Sequence, residues 1–227
     1  MALSISVVVP TLDEAPVLAS TLAAARAGDD VEIVVVDGGS RDATVAAARA
    51  RADRVLDAPR GRAQQMNVGA QVARGDVLLF LHADTRLPAG YASAVRGALA
   101  RADAVGGRFD VRLDAPGAVF RLTEWLINAR SRMTGIATGD QAIFVRRTVF
   151  ERIGGYPPLP LMEDIAFCRT LKRFGVMVAL RDAVVTSARR WQRHGIARTV
   201  LLMWGLRAAY YAGVPPARLA RLYADAR

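Results

Sequence analysis

The chain has 227 residues, enough for one sizeable core but short of two comfortable domains. A single cysteine, Cys168, excludes an internal disulfide framework and fits a reducing compartment, with an apolar filler of a helix as its simplest role. Net charge is +10, and nine arginines against Asp182 and Asp225 place +7 of it between Arg181 and Arg227; such a tail suits a polyanion, a pyrophosphate, an anionic membrane surface or a solvated helix face, whereas nucleic acid is disfavoured because no recognisable binding motif or aromatic-studded basic groove is present.

Met1 leads almost directly into an apolar run without a basic leader, so no signal peptide is read and a cytoplasmic location is expected. Ile5 to Val9 reads as a strand that stops at Pro10, and Val17, Leu18, Leu22 and Ala25 then share one face of a helix. The next unit runs from Ile33 to Val36, turns through Asp37, Gly38 and Gly39, and enters a helix with Ser40 or Asp42 as its N-cap. Val55 marks a short third strand, Ala63 to Ala73 a helix, and Val77 to Leu81 a fourth strand ending in His82-Ala83-Asp84. Near-continuous β-branched strands alternating with helices require an α/β fold, a mostly parallel central sheet with helices on both faces. Ligands of such sheets gather where the strands end, and Asp13, Glu14, Asp37 and Asp84 lie at or just beyond those ends, where a nucleotide and its metal are expected.

After Leu99 the rhythm changes. Polar alternation predicts a strand near Val105 to Leu113, then a helix from Ala118 to Arg130 and a loop from Thr134 to Asp140. A strand at Ala142 to Val145 and a short helix at Thr148 to Ile153 precede the loop Gly154-Gly155-Tyr156-Pro157-Pro158, which leads into Met162-Glu163-Asp164. A helix from Asp164 to Phe174, a strand from Val176 to Leu180 and the basic segment Arg189-Arg190-Trp191 follow. The expected organisation is one domain over 1–195, with a nucleotide-binding half at 1–100 and an acceptor half at 101–195, and a helical C-terminal appendage at 196–227.

Thr199 to Val214 in that appendage is apolar but interrupted by Arg207, and it falls short of the ~20 residues a membrane span needs. Three readings stay open, in order of preference: a helix packed on the core, a homodimer contact, or an interfacial helix with Trp204 and the tyrosines at headgroup level. The last would place the protein peripherally on the inner membrane face and suit a lipid-linked acceptor.

Pro10-Thr11-Leu12-Asp13-Glu14, Asp37-Gly38-Gly39-Ser40-Arg41-Asp42, Asn67 with Gly69, the Asp84 strand end and Glu163-Asp164 occur in an order that resembles family 2 glycosyltransferases of GT-A fold. The resemblance covers Ser4 to Trp191, and within it the segments HADT and GDQAIFVRR are most similar to a small soluble bacterial branch. It implies an inverting transfer of a sugar from a nucleotide-diphosphate sugar, UDP-linked by preference, to an acceptor hydroxyl.

The resemblance also implies roles. Pro10, Thr11, Asp13, Glu14 and Gly38 would line the base and ribose pocket, with Asp37 accepting from a uracil-type N–H; a loop-capping aspartate is the competing reading of Asp13. Arg62 would fork onto the diphosphate, against a solvated loop arginine as the alternative. Asp84 would hold Mg²⁺ or Mn²⁺ against that diphosphate, His82 standing where the family's Asp-x-Asp has its first aspartate; His82 is a ligand or a structural histidine. Asp164 would be the general base and Glu163 its acceptor-side neighbour, against helix capping as the alternative. Asp140 would bind the acceptor or the transferred sugar, against a turn aspartate as the alternative, and Arg190 and Trp191 would contact the acceptor, Thr186 or Ser187 replacing the leading glutamine of the processive Gln-x-x-Arg-Trp element.

A non-catalytic nucleotide-sugar binding module is the second reading, suggested by His82. A nucleotidyltransferase ranks low because Pro10 to Glu14 is acidic and glycine-free, and a dinucleotide dehydrogenase because no Gly-x-Gly-x-x-Gly follows the first strand.

Overall fold

A period of two governs the first strand, β1 (Ile5–Thr11), in the computed structural model, which describes residues 2–225; Met1, Ala226 and Arg227, at the outer ends of the two expected regions, lie outside the described residues. Val7 and Val9 enter one apolar core, Val8 the other, and all three are fully buried. The same division runs through β2 (Val31–Asp37) and β4 (Val77–Phe80): Ile33, Val35 and Leu79 face one side, Val34, Val36, Leu78 and Phe80 the other. Both faces therefore need cover. The first is covered by α1 (Ala15–Arg26), α2 (Thr44–Arg49) and, after the short β5 (Thr85–Arg86), α4 (Tyr91–Leu99). On the second face lies α3 (Arg62–Val72), which follows β3 (Arg54–Asp57).

The second half supplies β6 (Ala104–Leu113), α5 (Ala118–Thr134), β7 (Ile143–Arg146), α6 (Arg147–Arg152), α7 (Glu163–Leu171) and β8 (Val176–Thr186). Three helices end the chain: α8 (Arg189–His194), α9 (Ile196–Tyr211) and α10 (Pro216–Asp225). The strand order is β3-β2-β1-β4-β7-β6-β8-β5, and four of the seven pairings among the described residues are parallel. The sheet is thus mostly parallel, as expected, with β7 and β5 running against their neighbours.

Because the chain steps outward from β1 to β3 and returns to β4 on the other side of β1, a crevice opens at the C-terminal ends of β1 and β4. β7 pairs antiparallel with β4, Phe80 opposite Ile143, so the residues preceding β7 reach the same rim. β8 runs six residues beyond the expected Leu180, and its last residue, Thr186, pairs with Thr85 of β5, a two-residue strand too short to show a periodic signal.

Neither Ser40 nor Asp42 caps α2: the N-cap is Ala43, Ser40 turns back to Asp37, and Asp42 accepts from the Thr44 N–H at 2.9 Å. In the tail, Leu206 of α9 and Leu219 of α10 are buried in the second core, which is the packed-helix arrangement, while Leu201, Trp204 and Tyr211 stay exposed. No helix among the described residues is long and apolar enough to cross a membrane.

Gly69 permits α3 to lie close on the sheet, because a Cβ there would stand 2.4 Å from Val8 Cγ1. Gly69→Val is expected to lower unfolding stability by about 2 kcal/mol through overpacking, read from the midpoint of a urea transition.

Candidate active site

The rim carries two adjoining groups of side chains. At the ends of β1 and β2, Asp37 is buried; its Oδ2 accepts from the N–H groups of Gly39 (2.9 Å) and Ser40 (2.7 Å), and its Oδ1 from the hydroxyls of Thr11 (3.0 Å) and Ser40 (2.5 Å). Burial alone would raise its pKa, but these four donors outweigh it and hold the carboxyl below its ordinary value. Pro10 lies within β1 opposite Val36, and the Gly38 N–H donates to the Thr11 carbonyl. Asp13 adopts φ 54°, its N–H donating to Ser40 Oγ (2.9 Å) and its Oδ1 accepting from the Arg41 N–H (2.8 Å). Its carboxylate therefore braces the loop, as the capping alternative required.

The second group lines a cleft of about 640 Å³ that brings together Arg62, His82, Asp84, Asp140, Glu163, Asp164, Arg190 and Trp191. Every sequence-predicted residue from Arg62 onward is there, although the elements that supply them span more than a hundred positions. Thr11, Asp13, Glu14 and Asp37 are not among its lining residues. The link between the two groups is Arg189, whose Nη2 lies 2.6 Å from Glu14 Oε2 and 3.5 Å from Asp84 Oδ2. Arg189 was not among the expected site residues. The signal available was its place beside Arg190 and Trp191, but which of two adjacent arginines meets Glu14 and Asp84 depends on the β5–β8 pairing, through which the Ser187 N–H donates to the Asp84 carbonyl at 3.1 Å.

Asp164 sits in the first turn of α7, which starts from Met162 at φ 67°. Its Oδ2 accepts from the Gly139 N–H (3.0 Å) and its Oδ1 from the Ile165 N–H (2.7 Å), so two backbone donors fix the carboxylate's orientation at a helix N-terminus. Glu163 beside it is buried, with Arg62 Nε 3.7 Å away. Burial raises its pKa against the opposing pull of Arg62. Asp140 lies in a single 3₁₀ turn, Gly139–Gln141, closed by reciprocal bonds between Thr138 and Gln141, and its Oδ1 is buried without a partner among the described residues. Of the four non-glycine residues with positive φ among those described, Asp13, Ala142 and Met162 adjoin these groups, a concentration of backbone strain at the rim.

His82 Nε2 faces Arg62 Nη1 at 3.4 Å, and Gly139 leaves room for the ring, since a Cβ there would stand 2.3 Å from Nε2. Burial first, and then the Arg62 charge, push the His82 pKa down to about 4, so the imidazole is neutral at neutral pH. Among the described residues no three His, Cys, Asp or Glu side chains form a cluster able to hold a metal unaided. Asp84 offers one carboxylate to the cleft, which fits a hard divalent ion whose remaining ligands come from substrate phosphates and water.

Two residues that sequence reasoning passed over support the rim. Buried Gln65 donates from Nε2 to the carbonyls of Thr11 (2.9 Å) and Val36 (2.8 Å), tying the ends of β1 and β2 together. Asn67, noted as a motif residue without a role, exchanges two hydrogen bonds with the Tyr156 backbone and so anchors the loop leading to α7.

An α/β sheet with an acidic cleft at its carboxyl rim, flanked by arginines, is the architecture of a domain that handles phosphorylated ligands. The sequence matches Glycosyl transferase family 2 over residues 6–155, and the chain belongs to that family. No curated protein matches it in sequence. Among solved structures it resembles S. aureus TarS 1–349 in complex with UDP, with TM-score 0.65 and 17% identity over 86% of this chain and 63% of that one. The same protein in complex with UDP-GlcNAc gives 0.63 and 19%, over 81% and 58%. Glucosyl-3-phosphoglycerate synthase from Mycobacterium tuberculosis, in complex with Mn²⁺, UDP and glucosyl-3-phosphoglycerate, gives 0.61 and 20%, over 80% and 70%. The chain thus spans less than two thirds of TarS 1–349, and what is shared is the GT-A fold.

The depressed His82 pKa makes a pH prediction. The unfolded imidazole, at 6.5, takes up its proton before the folded one, at about 4, so stability falls as pH drops through that window and His82 adds no pH dependence above it. In His82→Gln that part of the acid destabilisation should vanish, read as the shift in urea midpoint between about pH 7 and about pH 5. An NMR titration placing the folded imidazole near pH 6.5 would contradict it.

Proposed function

We propose that the chain is an inverting glycosyltransferase that moves a sugar from a nucleotide-diphosphate donor, UDP-linked by preference, to an acceptor hydroxyl. The observation that carries this reading is the meeting of Asp84, Asp140 and Asp164 in one cleft of a family 2 domain. UDP and UDP-sugar complexes of proteins sharing the fold support the choice of donor.

In this reading residues 1–100 hold the nucleotide. Asp37 and Thr11 are rigidly placed to meet the base, Pro10, Asp13, Glu14 and Gly38 shape that end, and Arg62 with Arg189 presents guanidinium forks to the diphosphate. Asp84 would hold Mg²⁺ or Mn²⁺, with His82 beside it as a neutral imidazole, and a bound ion would offset charge on the leaving diphosphate. Residues 101–195 hold the acceptor: Glu163 and Asp140 flank its reacting hydroxyl, and Arg190, stacked on Tyr223 at 5.4 Å, and Trp191 border its body.

Asp164 acts as general base. It accepts the hydroxyl proton while the oxygen bonds to the anomeric carbon and the bond to the diphosphate breaks, so a single displacement inverts that centre and needs no covalent nucleophile. The backbone bonds from Gly139 and Ile165 keep one geometry for this transfer.

Asp164→Asn is expected to reduce turnover by roughly a hundredfold to ten-thousandfold while UDP still raises the melting temperature as in the wild type. Equal turnover would remove the base assignment; UDP binding by a wild type that transfers no sugar would favour a nucleotide-sugar binding module. Asp84→Asn should abolish the Mn²⁺-dependent part of UDP stabilisation and leave the part that survives chelator, read in the same thermal shift with and without the ion.

A further inference from the structure

The cleft extends past the acidic rim to a wall formed by α5 and α9, and there two arginines carry buried donors that the described residues leave without acceptors. Arg130 of α5 and Arg207 of α9 both line the cleft. Nε and Nη2 of Arg130 and Nε of Arg207 are buried, with no hydrogen-bond partner among the described residues. Guanidinium donors withdrawn from water are costly unless an acceptor meets them, and the like charge of the second arginine adds to that cost. Burial, with the Arg207 charge adding to it, pushes the Arg130 pKa down to about 10, while Asp140 and Asp164 pull the other way through their charge without forming an ion pair with it.

The helix surroundings repeat on both sides. On α5, Leu126 and Met133 stand one turn either side of Arg130, and on α9, Met203 and Trp204 stand one turn before Arg207; all four line the cleft. Each helix thus presents a guanidinium set among apolar side chains, with Met133 and Trp204 largely exposed.

We infer that Arg130 and Arg207 form an anion subsite that clasps a phosphate-type oxyanion on the acceptor, whose apolar or neutral remainder lies along α5 and α9. Two forked, permanently charged donor sets match a tetrahedral dianion in charge and in number of acceptor oxygens. The subsite opens into the same cavity as Asp164, so an acceptor anchored by its anion would present a hydroxyl towards the base. The ligand's role as acceptor rests on the transferase reading; the anion subsite does not. The anionic group belongs either to a small phosphorylated compound or to a lipid headgroup, the chemistry at the arginines being common to both.

The test is calorimetric titration of inorganic phosphate into the protein saturated with UDP, for the wild type, Arg130→Gln, Arg207→Gln and the double variant. The wild type should bind phosphate, each single variant roughly tenfold or more weakly, and the double variant not measurably, while UDP affinity is unchanged throughout. Ligand-free variants should melt no lower than the wild type, since guanidinium N–H groups buried without acceptors among the described residues have been removed, and phosphate should raise only the wild-type melting temperature. Arg130→Lys and Arg207→Lys, which keep the charge and lose the fork, should fold and bind with intermediate affinity.

No phosphate binding by the wild type, undiminished binding by the double variant, or variants that melt lower and lose UDP as well would overturn the subsite. Phosphate binding that depends on both arginines in a protein that ignores UDP would uphold the subsite and sink the donor reading instead. Glycerol 3-phosphate and phosphatidylcholine vesicles with and without phosphatidic acid separate the sources: arginine-dependent binding of the first alone identifies a soluble acceptor, and of the phosphatidic acid vesicles a lipid one.

Discussion

The antiparallel docking of β7 against β4 is the constraint on which the cleft depends. In a parallel sheet every strand delivers its following loop to the carboxyl rim, and a strand entering the opposite way delivers its preceding loop there instead. With Phe80 opposite Ile143, the turn holding Asp140 reaches the rim that Asp84 occupies, and its Gly139 N–H meets Asp164. The register is fixed by burial: Ile143 and Phe80 belong to the same core cluster, and a one-residue slip would turn each to the wrong face. Aromatic packing on that face, Phe80 edge-on to Tyr156 at 4.9 Å and Tyr156 stacked on Phe167 at 4.1 Å, ties the strand end to α7 and its carboxylates.

A rim crowded with carboxylates requires counter-charge, and its source differs on the two sides. Arg62, at the start of α3, lies beside Glu163 and His82 and connects the first half of the chain to α7. Arg189 comes from the far end of the chain and reaches Glu14 and Asp84 because the Thr85 and Thr186 hydroxyls, 2.8 Å apart, close β5 on β8. Arg189 and its partners are partly exposed, so those pairs contribute little to folding by themselves, whereas Arg62 meets a buried carboxylate. Their consequence is positional: acids and bases from both halves share one boundary, and an incoming diphosphate would compete for the same guanidinium groups.

The alternation of fully buried valines in β1 and β2, with Pro10-Thr11 closing the first strand and Asp37-Gly38 the second, made the first half of the fold readable from sequence, because local patterning and burial agree there. The order of short acidic motifs pointed to Asp37, Asp84 and Asp164, and the segment between the two halves to Asp140; the last three line one cleft and Asp37 lies beside it. What escaped was set by long-range pairing. β5 has two residues, and the last residues of β8 alternate only weakly, so neither carries a period to detect; yet their pairing sets Arg189 against Glu14 and Asp84. Gln65 is one polar residue on a helix with almost no amphipathic signal, and its two carbonyl partners exist only once β1 and β2 lie side by side. The N-cap of α2 failed for a related reason: Asp37 captures Ser40, and Asp42 turns to the Ala15 and Thr44 N–H groups, so the loop's polar groups serve the rim before they serve the helix.

Arg130 and Arg207 show the same limit in its strongest form. In a chain whose basic residues are almost all arginine, each reads as one more solvated helix residue, and charge counting assigns Arg207 to a diffuse basic tail. Only the packing of α9 and α10 on the second core, through Leu206 and Leu219, turns Arg207 into a cavity opposite α5. That packing could have brought an acid to meet Arg130 and neutralise the wall. It brings a second guanidinium instead, and leaves donors of both without acceptors among the described residues. A folded chain tolerates such an arrangement at a net cost to its own stability, and in proteins that pattern belongs to sites whose partner arrives from outside. The appendage is therefore more than cover for the sheet: it completes the basic wall of the cleft whose acidic wall the family motifs supply.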